Sequence, residues 1–176
     1  MTDLPLLPDG VEEARELGRR LAGRRFDRIY TSDRRRARET AVLAGIADPT
    51  ETPLLSEYDY GEYEGLTSDQ IRGTRPGWRI FKDGCPGGEA PDEVYHRAAE
   101  FIRQAEAAGR VLAFSHGHFI RALAAAWTEA GVGLAERLDL DTAAVCILRN
   151  GSRPRLIRIW NSTSGELPWP PPVVLA

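Results

Sequence analysis

The chain has 176 residues, 42% of them hydrophobic and 28% charged, which is sufficient for one domain with a substantial core. Its formal net charge of −3 at pH 7 excludes a global basic field of the kind that binds nucleic acid. No apolar run is long enough to cross a membrane and no signal-peptide pattern is present, so we expect a cytoplasmic protein without a membrane partner.

Apolar residues recur with helical spacing in some segments and as short continuous runs in others. The helical spacing predicts helices over 9–23, where Asp9 is the cap, and over 34–44, 91–108 and 118–130, with helical turns over 68–72 and 78–81. The apolar runs predict strands over 26–30, 111–114, 143–148 and 155–160, the last two joined by a hairpin at Asn150-Gly151. This alternation predicts an α/β fold over residues 1–167, a three-layer αβα sandwich with a mostly parallel sheet. The proline-rich residues 168–176 are predicted to form a tail.

Two loops are expected at the carboxyl ends of parallel strands, where chemistry gathers in such sheets. Loop 115–118, with the sequence Ser-His-Gly-His, connects the strand 111–114 to the next helix. The N-terminus of a helix suits an anion because its amides point outward and its dipole is positive there. The alternative is an ordinary strand-to-helix turn with two polar residues. Loop 31–36 ends in Arg34-Arg35-Arg36, which either binds phosphate or forms a solvated helix surface.

The segment 57–65 combines four carboxylates with aromatic rings. A carboxyl group shielded by such rings can be held protonated as a general acid. The alternative is a surface loop in which one or two tyrosines pack against the core.

Five segments occur in an order and at spacings that match one known set of motifs. Pro5–Gly10 resembles the motif PLTPEG, Tyr30–Ala41 resembles YSSPLxRAxQTA, and Glu57–Gly65 resembles ExDFGEWEG. Pro86–Glu89 resembles PGGES, and Ser115–Arg121 resembles SHGxxIR. Through these segments the chain resembles the histidine phosphatase superfamily, on its phosphoglycerate-mutase-like branch, over nearly its whole length. A globular α/β protein with a chance resemblance is the alternative, and it would require five ordered motifs to coincide.

The resemblance implies a phosphatase that hydrolyses phosphomonoesters through a phosphohistidine intermediate. Arg36 would bind the transferring phosphoryl group. Glu57 would donate a proton to the leaving alcohol and then act as the base for water. His116 and the Gly117 amide at the following helix would stabilise the equatorial oxygens.

The resemblance also implies a substrate pocket, shaped by His118 and by Gly88 and Glu89 of the glycine-rich loop. An acidic, aromatic rim that includes Tyr58 suggests a small-molecule phosphate ester as the partner. The family needs no metal and no cofactor, and the three histidines of this chain lack ligand spacing. The two cysteines, Cys85 and Cys146, have neither metal-ligand nor disulfide-framework spacing, which indicates reduced thiols.

The family's hallmark is an N-terminal strand that ends in Arg-His-Gly, whose histidine is the nucleophile. No Arg-His-Gly occurs in this sequence. The resemblance therefore implies a sequence truncated before this motif, lacking the family's first central strand and inactive or impaired as given. We expect the DNA just upstream to encode the strand, unless the segment has truly been lost. An exposed sheet edge in its absence favours a homodimer.

Two other functions remain open on the sequence alone. A non-catalytic module that binds or senses a phosphorylated ligand would still retain Arg36 and His116. A phosphoglycerate mutase is the other alternative. Mutases of this branch carry extra residues between the acid and the second histidine, whereas Glu57 and His116 are only 59 positions apart. The short connection favours a phosphatase.

Overall fold

The computed structural model describes residues 3–150 and 154–167, and all structural statements below concern these residues. The helices are α1 (Pro8–Leu21), α2 (Arg35–Leu43), α3 (Ser68–Thr74), α4 (Ile80–Asp83), α5 (Pro91–Glu106) and α6 (Gly117–Trp127). The strands are β1 (Arg28–Ser32), β2 (Thr50–Thr52), β3 (Val111–Phe114), β4 (Val145–Arg149) and β5 (Leu156–Ser162). Short 3-10 turns lie at Pro53–Leu55, Gly61–Tyr63 and Val132–Arg137.

The strands form two sheets. The first has the order β2-β1-β3 and is parallel throughout, with Arg28 of β1 opposite Val111 of β3 and Thr31 opposite Phe114. The second consists of β4 and β5, which are antiparallel with irregular register. The predicted parallel sheet is thus confirmed, and the C-terminal strands form a hairpin beside it. Gly151 of the predicted hairpin turn and the predicted tail 168–176 lie outside the described residues.

Side chains of β3 alternate between two hydrophobic clusters, one on each face of the parallel sheet. Ala113 faces the larger cluster, which contains Phe101 of α5 and Phe119 of α6. Phe114 faces the smaller cluster, which contains Leu17 of α1 and residues of α2. One pair of helices therefore covers each face, which confirms the three-layer αβα arrangement.

Several predicted boundaries shift by one to three residues. The helix α1 begins at Pro8, whose fixed backbone angle suits the first helical position, and its cap residue Leu7 forms no side-chain hydrogen bond. The prediction that Asp9 caps this helix is wrong, because Asp9 lies inside the first turn. The prediction that Thr31 and Ser32 belong to the loop 31–36 is also wrong. Both belong to β1 and are fully buried, so the strand runs further toward the functional loops than expected.

An apolar cavity of about 800 Å³ separates β3 from the β4–β5 hairpin. Among the described strands, β3 pairs only with β1 and β4 pairs only with β5, so each keeps one open edge. Consecutive residues of both strands line the cavity, including 111–116 and 140–150. Successive side chains of a strand point to opposite faces of its sheet. Consecutive residues can therefore line the same cavity only if the cavity lies along the edge of the strand. The cavity is therefore a slot bordered by two open strand edges, and we call it the β3–β4 slot.

No helix in the described part of the chain is both long enough and apolar enough to cross a membrane.

Candidate active site

Three side chains singled out in the sequence meet at one end of the β3–β4 slot. Arg36 is in the first turn of α2, after β1, and His116 directly follows the loop residue Ser115 at the end of β3. Glu57 approaches from the loop that follows the 3-10 turn 53–55. Because β1 and β3 are parallel, their carboxyl ends lie at the same edge of the sheet and bring the three residues together.

The carboxylate of Glu57 occupies the N-terminus of α6. Its Oε1 accepts hydrogen bonds from the backbone amides of Tyr58, at 2.9 Å, and Phe119, at 3.0 Å. Its Oε2 accepts from the His118 amide at 3.4 Å and lies 3.9 Å from His118 Nδ1. The sequence predicted an anion site at this helix terminus, and in the structure the chain's own carboxylate fills much of it. Among the described residues, the Gly117 amide has no hydrogen-bond partner.

Glu57 is held as a carboxylate rather than as the protonated acid that the aromatic surroundings suggested. Burial alone would raise the pKa of Glu57, but the hydrogen bond and charge of His118, the Tyr58 amide and the charge that His116 carries in acid lower it to about 2. A dianionic phosphoryl group in the slot would oppose these effects, because a nearby negative charge disfavours a second one. Glu57 would therefore accept a proton more readily with such a ligand in the slot than without one.

His116 is buried and neutral at physiological pH. Its Nε2 lies 2.8 Å from the hydroxyl of Ser32, a buried residue at the end of β1. Burial is the main cause that lowers the pKa of His116 to about 4, and the positive charges of Arg36 and Arg34 lower it further against the opposing charge of Glu57. A neutral imidazole can donate a hydrogen bond to a phosphoryl oxygen from one ring nitrogen.

The buried state of His116 predicts a loss of stability in mild acid. Because its folded pKa of about 4 lies below the ordinary value of 6.5, only the unfolded chain binds the proton between these pH values. Stability is therefore lost as pH falls from about 6.5 to about 4. We expect denaturant titrations at pH 7 and pH 5 to show that His116→Gln removes about 2 kcal/mol of this loss. The exposed His96→Gln should leave the pH dependence unchanged, and an equal effect of both variants would contradict the prediction.

Arg36 is half-buried, and within the described residues its guanidinium forms no hydrogen bond or ion pair. Its neighbours on α2 differ in this respect. Arg35 pairs with Glu39 at 2.6 Å, and Arg38 pairs with Glu51 at 3.3 Å. A guanidinium that lines a cavity beside a buried histidine, and has no partner among the described residues, is suited to bind an oxyanion in a bidentate manner.

His118 lies against Glu57 and inside a group of aromatic rings. Its Nδ1 is 2.8 Å from the hydroxyl of Tyr60, and the rings of Tyr58 and Phe81 pack within 6.5 Å of its own. Tyr58 is fully buried in the core, so it packs behind His118 and does not form an exposed rim. His118 itself keeps about a third of its side-chain surface exposed.

The glycine-rich loop lies away from the β3–β4 slot. Gly88 packs so closely on the loop before it that an added Cβ would lie 2.2 Å from the carbonyl oxygen of Asp59. Glu89 forms a bidentate ion pair with Arg97 of α5. Neither residue lines the slot. Sequence reasoning missed Arg97, which no motif marked, and it placed Ser32 in loop 31–36 without the contact to His116.

The described residues contain no group of three or more histidine, cysteine or acidic side chains arranged to hold a metal ion.

Three curated relatives indicate the kind of protein that this chain is similar to. A family model described as the histidine phosphatase superfamily, branch 1, matches residues 1–163. An acid phosphatase of Mycobacterium tuberculosis is 36% identical, over 86% of this chain and 78% of that protein. A sedoheptulose 1,7-bisphosphatase of Saccharomyces cerevisiae is 32% identical, over 75% of this chain and 61% of that protein. A 2,3-bisphosphoglycerate-dependent phosphoglycerate mutase of Methylobacterium is 34% identical, over 80% and 82%.

Solved structures agree with the fold described above. The product of an open reading frame of Mycobacterium tuberculosis superposes with a TM-score of 0.86 at 34% identity, over 92% of this chain and 86% of that one. A mycobacterial glucosyl-3-phosphoglycerate phosphatase in complex with VO3 superposes with a TM-score of 0.81 at 28% identity, over 91% and 88%.

Proposed function

Because the chain belongs to branch 1 of the histidine phosphatase superfamily, we propose that it is a phosphoric monoester hydrolase for a small organic phosphate. One observation carries the proposal: Arg36, Glu57 and His116 line the same cavity, close enough for the charges of Arg36 and Glu57 to act on His116. Named relatives that act on sugar-like phosphates, a sedoheptulose bisphosphatase and a glucosyl-3-phosphoglycerate phosphatase, support this class of substrate.

The three side chains divide the chemistry of phosphoryl transfer. Arg36 supplies a positive charge to the equatorial oxygens, and His116 with the Gly117 amide donates further hydrogen bonds. Glu57, ionised before the ligand binds, gains a proton when the phosphoryl charge raises its pKa and passes it to the leaving alcohol. The same carboxylate then serves as the base for the attacking water.

None of the three histidines of the chain is assigned here as the nucleophile, because each has other contacts or lies outside the slot. His116 forms a hydrogen bond with Ser32, and His118 forms one with Tyr60. His96 is exposed on α5. We propose that the nucleophilic histidine is supplied by a strand encoded ahead of Met1. The β3–β4 slot supports this, because a strand inserted parallel to β3 would pair with both open edges and end beside Arg36, Glu57 and His116. A stop codon in the DNA immediately upstream would contradict the proposal.

A protein extended by that upstream segment should transfer phosphate to water rather than to a second alcohol. The short connection between Glu57 and His116 motivates this expectation. With 3-phosphoglycerate and 2,3-bisphosphoglycerate as substrates, we expect phosphate release to exceed interconversion of the phosphoglycerates. Coupled assays of both products on one preparation measure the ratio. Faster interconversion than release would assign the chain to the mutases, one of which is 34% identical to it.

A module that binds a phosphorylated ligand without turnover is the second candidate. It is favoured by the guanidinium of Arg36, which has no partner in the described part of the chain and lies beside a neutral His116, since this pair can hold an oxyanion without any nucleophile. Binding of vanadate without hydrolysis, in a protein whose natural start is Met1, would support this candidate over the hydrolase.

A further inference from the structure

Arg97 of α5 forms hydrogen bonds with the backbone of the segment that leads into Glu57. Its Nη1 donates hydrogen bonds to the carbonyl oxygens of Leu54, at 3.1 Å, and Ser56, at 2.7 Å. Its Nη2 donates to the carbonyl of Glu57 itself at 3.3 Å. Three carbonyls within four residues thus converge on one guanidinium, which is only 17% exposed. With the two carboxylate oxygens of Glu89, Arg97 has five acceptors, which match the five donors of a planar guanidinium and exceed the three of an ammonium.

Glu89 holds the guanidinium in that orientation. Its two carboxylate oxygens accept from Arg97 Nε at 2.8 Å and Nη2 at 2.7 Å, a bidentate pair. Its Oε2 also accepts from the Asp59 amide at 3.0 Å, and its own amide donates to the Asp59 carbonyl at 2.9 Å. Glu89 therefore fixes both the cation and the chain two residues beyond Glu57.

Phe119 links the same cation to the carboxylate of Glu57. The Arg97 guanidinium stacks 4.6 Å from the centre of the Phe119 ring. The Phe119 amide donates to Glu57 Oε1 at 3.0 Å. Arg97 thus touches the backbone of Glu57 on one side and, through Phe119, the helix terminus that holds the carboxylate on the other.

Neither Arg97 nor Glu89 lines the β3–β4 slot, so neither can touch a phosphoryl group there. We propose that Arg97, oriented by Glu89, is a positioning residue that presses the Glu57 carboxylate against the α6 amides and so sets when it accepts a proton. The proposal deepens the proposed function. It concerns the acid–base residue of the same site and assigns Glu89 of the glycine-rich loop to positioning rather than to substrate contact.

The first test is the titration of Glu57 by carboxyl 13C NMR on the full chain, which requires no turnover. In the wild type the folded pKa of Glu57 is about 2. In Arg97→Met and Arg97→Lys we expect this pKa to rise, because looser amide hydrogen bonds leave burial as the dominant effect. The control variant is Arg103→Met, which removes an exposed cation from the same helix. It should leave the titration of Glu57 unchanged.

The second test is kinetic and uses the protein extended by the upstream segment. We expect Arg97→Lys to lower kcat about 10–100-fold with KM within about twofold, since misplacing a reacting group slows chemistry more than it weakens binding. The acid limb of the pH–rate profile should shift upward together with the titration of Glu57.

The outcomes separate this proposal from the proposed function. A shifted Glu57 titration in a protein that hydrolyses nothing would support the positioning role and reject the hydrolase. An active wild type with an unchanged Glu57 titration and kcat in folded Arg97→Lys would overturn the positioning role. If both Arg97 variants fail to fold, Glu89→Gln keeps the guanidinium and loses its charged anchor. The same rise in the pKa of Glu57 is expected there, and its absence would overturn the proposal.

Discussion

Replacing Glu57 by glutamine is expected to lower kcat of the extended protein by about 10²–10⁴-fold, the range of a general acid–base contribution. Glutamine has nearly the same shape and still accepts a hydrogen bond from the Phe119 amide through its carbonyl oxygen. It can neither give a proton to the leaving alcohol nor take one from water. Both halves of the reaction should therefore slow, while KM for a phosphomonoester changes little.

The matched control for Glu57→Gln is Glu62→Gln, a change of the same kind at an exposed position of the same loop. It should leave kcat within about twofold, as expected for a surface change away from the reacting atoms. Stopped assays over pH 4–9 on both variants measure the effect. A Glu57→Gln variant that retains more than a tenth of the wild-type kcat would mean that another group handles the proton.

Replacing Arg36 by alanine is expected to weaken binding of orthovanadate to the 176-residue chain by about 10–100-fold, because charged hydrogen bonds contribute about 1.5–3 kcal/mol. The guanidinium forms no ion pair among the described residues, so its removal leaves no partner charge unsatisfied. The fold should therefore change little. Vanadate is a suitable probe because a phosphatase with a similar fold has been crystallised with VO3.

The control for Arg36→Ala is Arg38→Ala, which removes a cation from the same helix that is paired with Glu51 instead. Isothermal titration calorimetry on the wild type and both variants compares the three affinities at one ionic strength, because salt screens surface charges. Equal weakening by both variants would indicate a diffuse electrostatic effect and would remove Arg36 from the site.

Much of the fold could be predicted from local sequence pattern. The strand 111–114 has the predicted bounds because four apolar residues stand between a turn and a histidine loop. The inward face of α5 was also readable, since Val94, Ala98 and Phe101 recur at helical spacing and are buried. The end of β1 was not readable. Thr31 and Ser32 have turn-forming side chains, but pairing with β2 and β3 extends the strand through them.

The sequence predicted which residues form the candidate site, but not their protonation states or their contacts. Arg36, Glu57 and His116 follow from the resemblance to the family's motifs, and in the structure all three line the β3–β4 slot. Their states depend on contacts between distant segments. Amides from α6 hold Glu57 as a carboxylate, and Arg97, which is 40 positions away, holds its backbone. No local pattern marks Arg97, because its partners are backbone carbonyls that any sequence provides.

Phosphate release from an aryl phosphomonoester tests the central claim most directly, with the 176-residue chain compared to the same chain extended by the upstream strand proposed above. We predict turnover by the extended protein, little or none by the 176 residues alone, and loss of the turnover in Arg36→Ala of the extended protein. Equal rates with and without the extension, or a folded extended protein that releases no phosphate, would contradict the account.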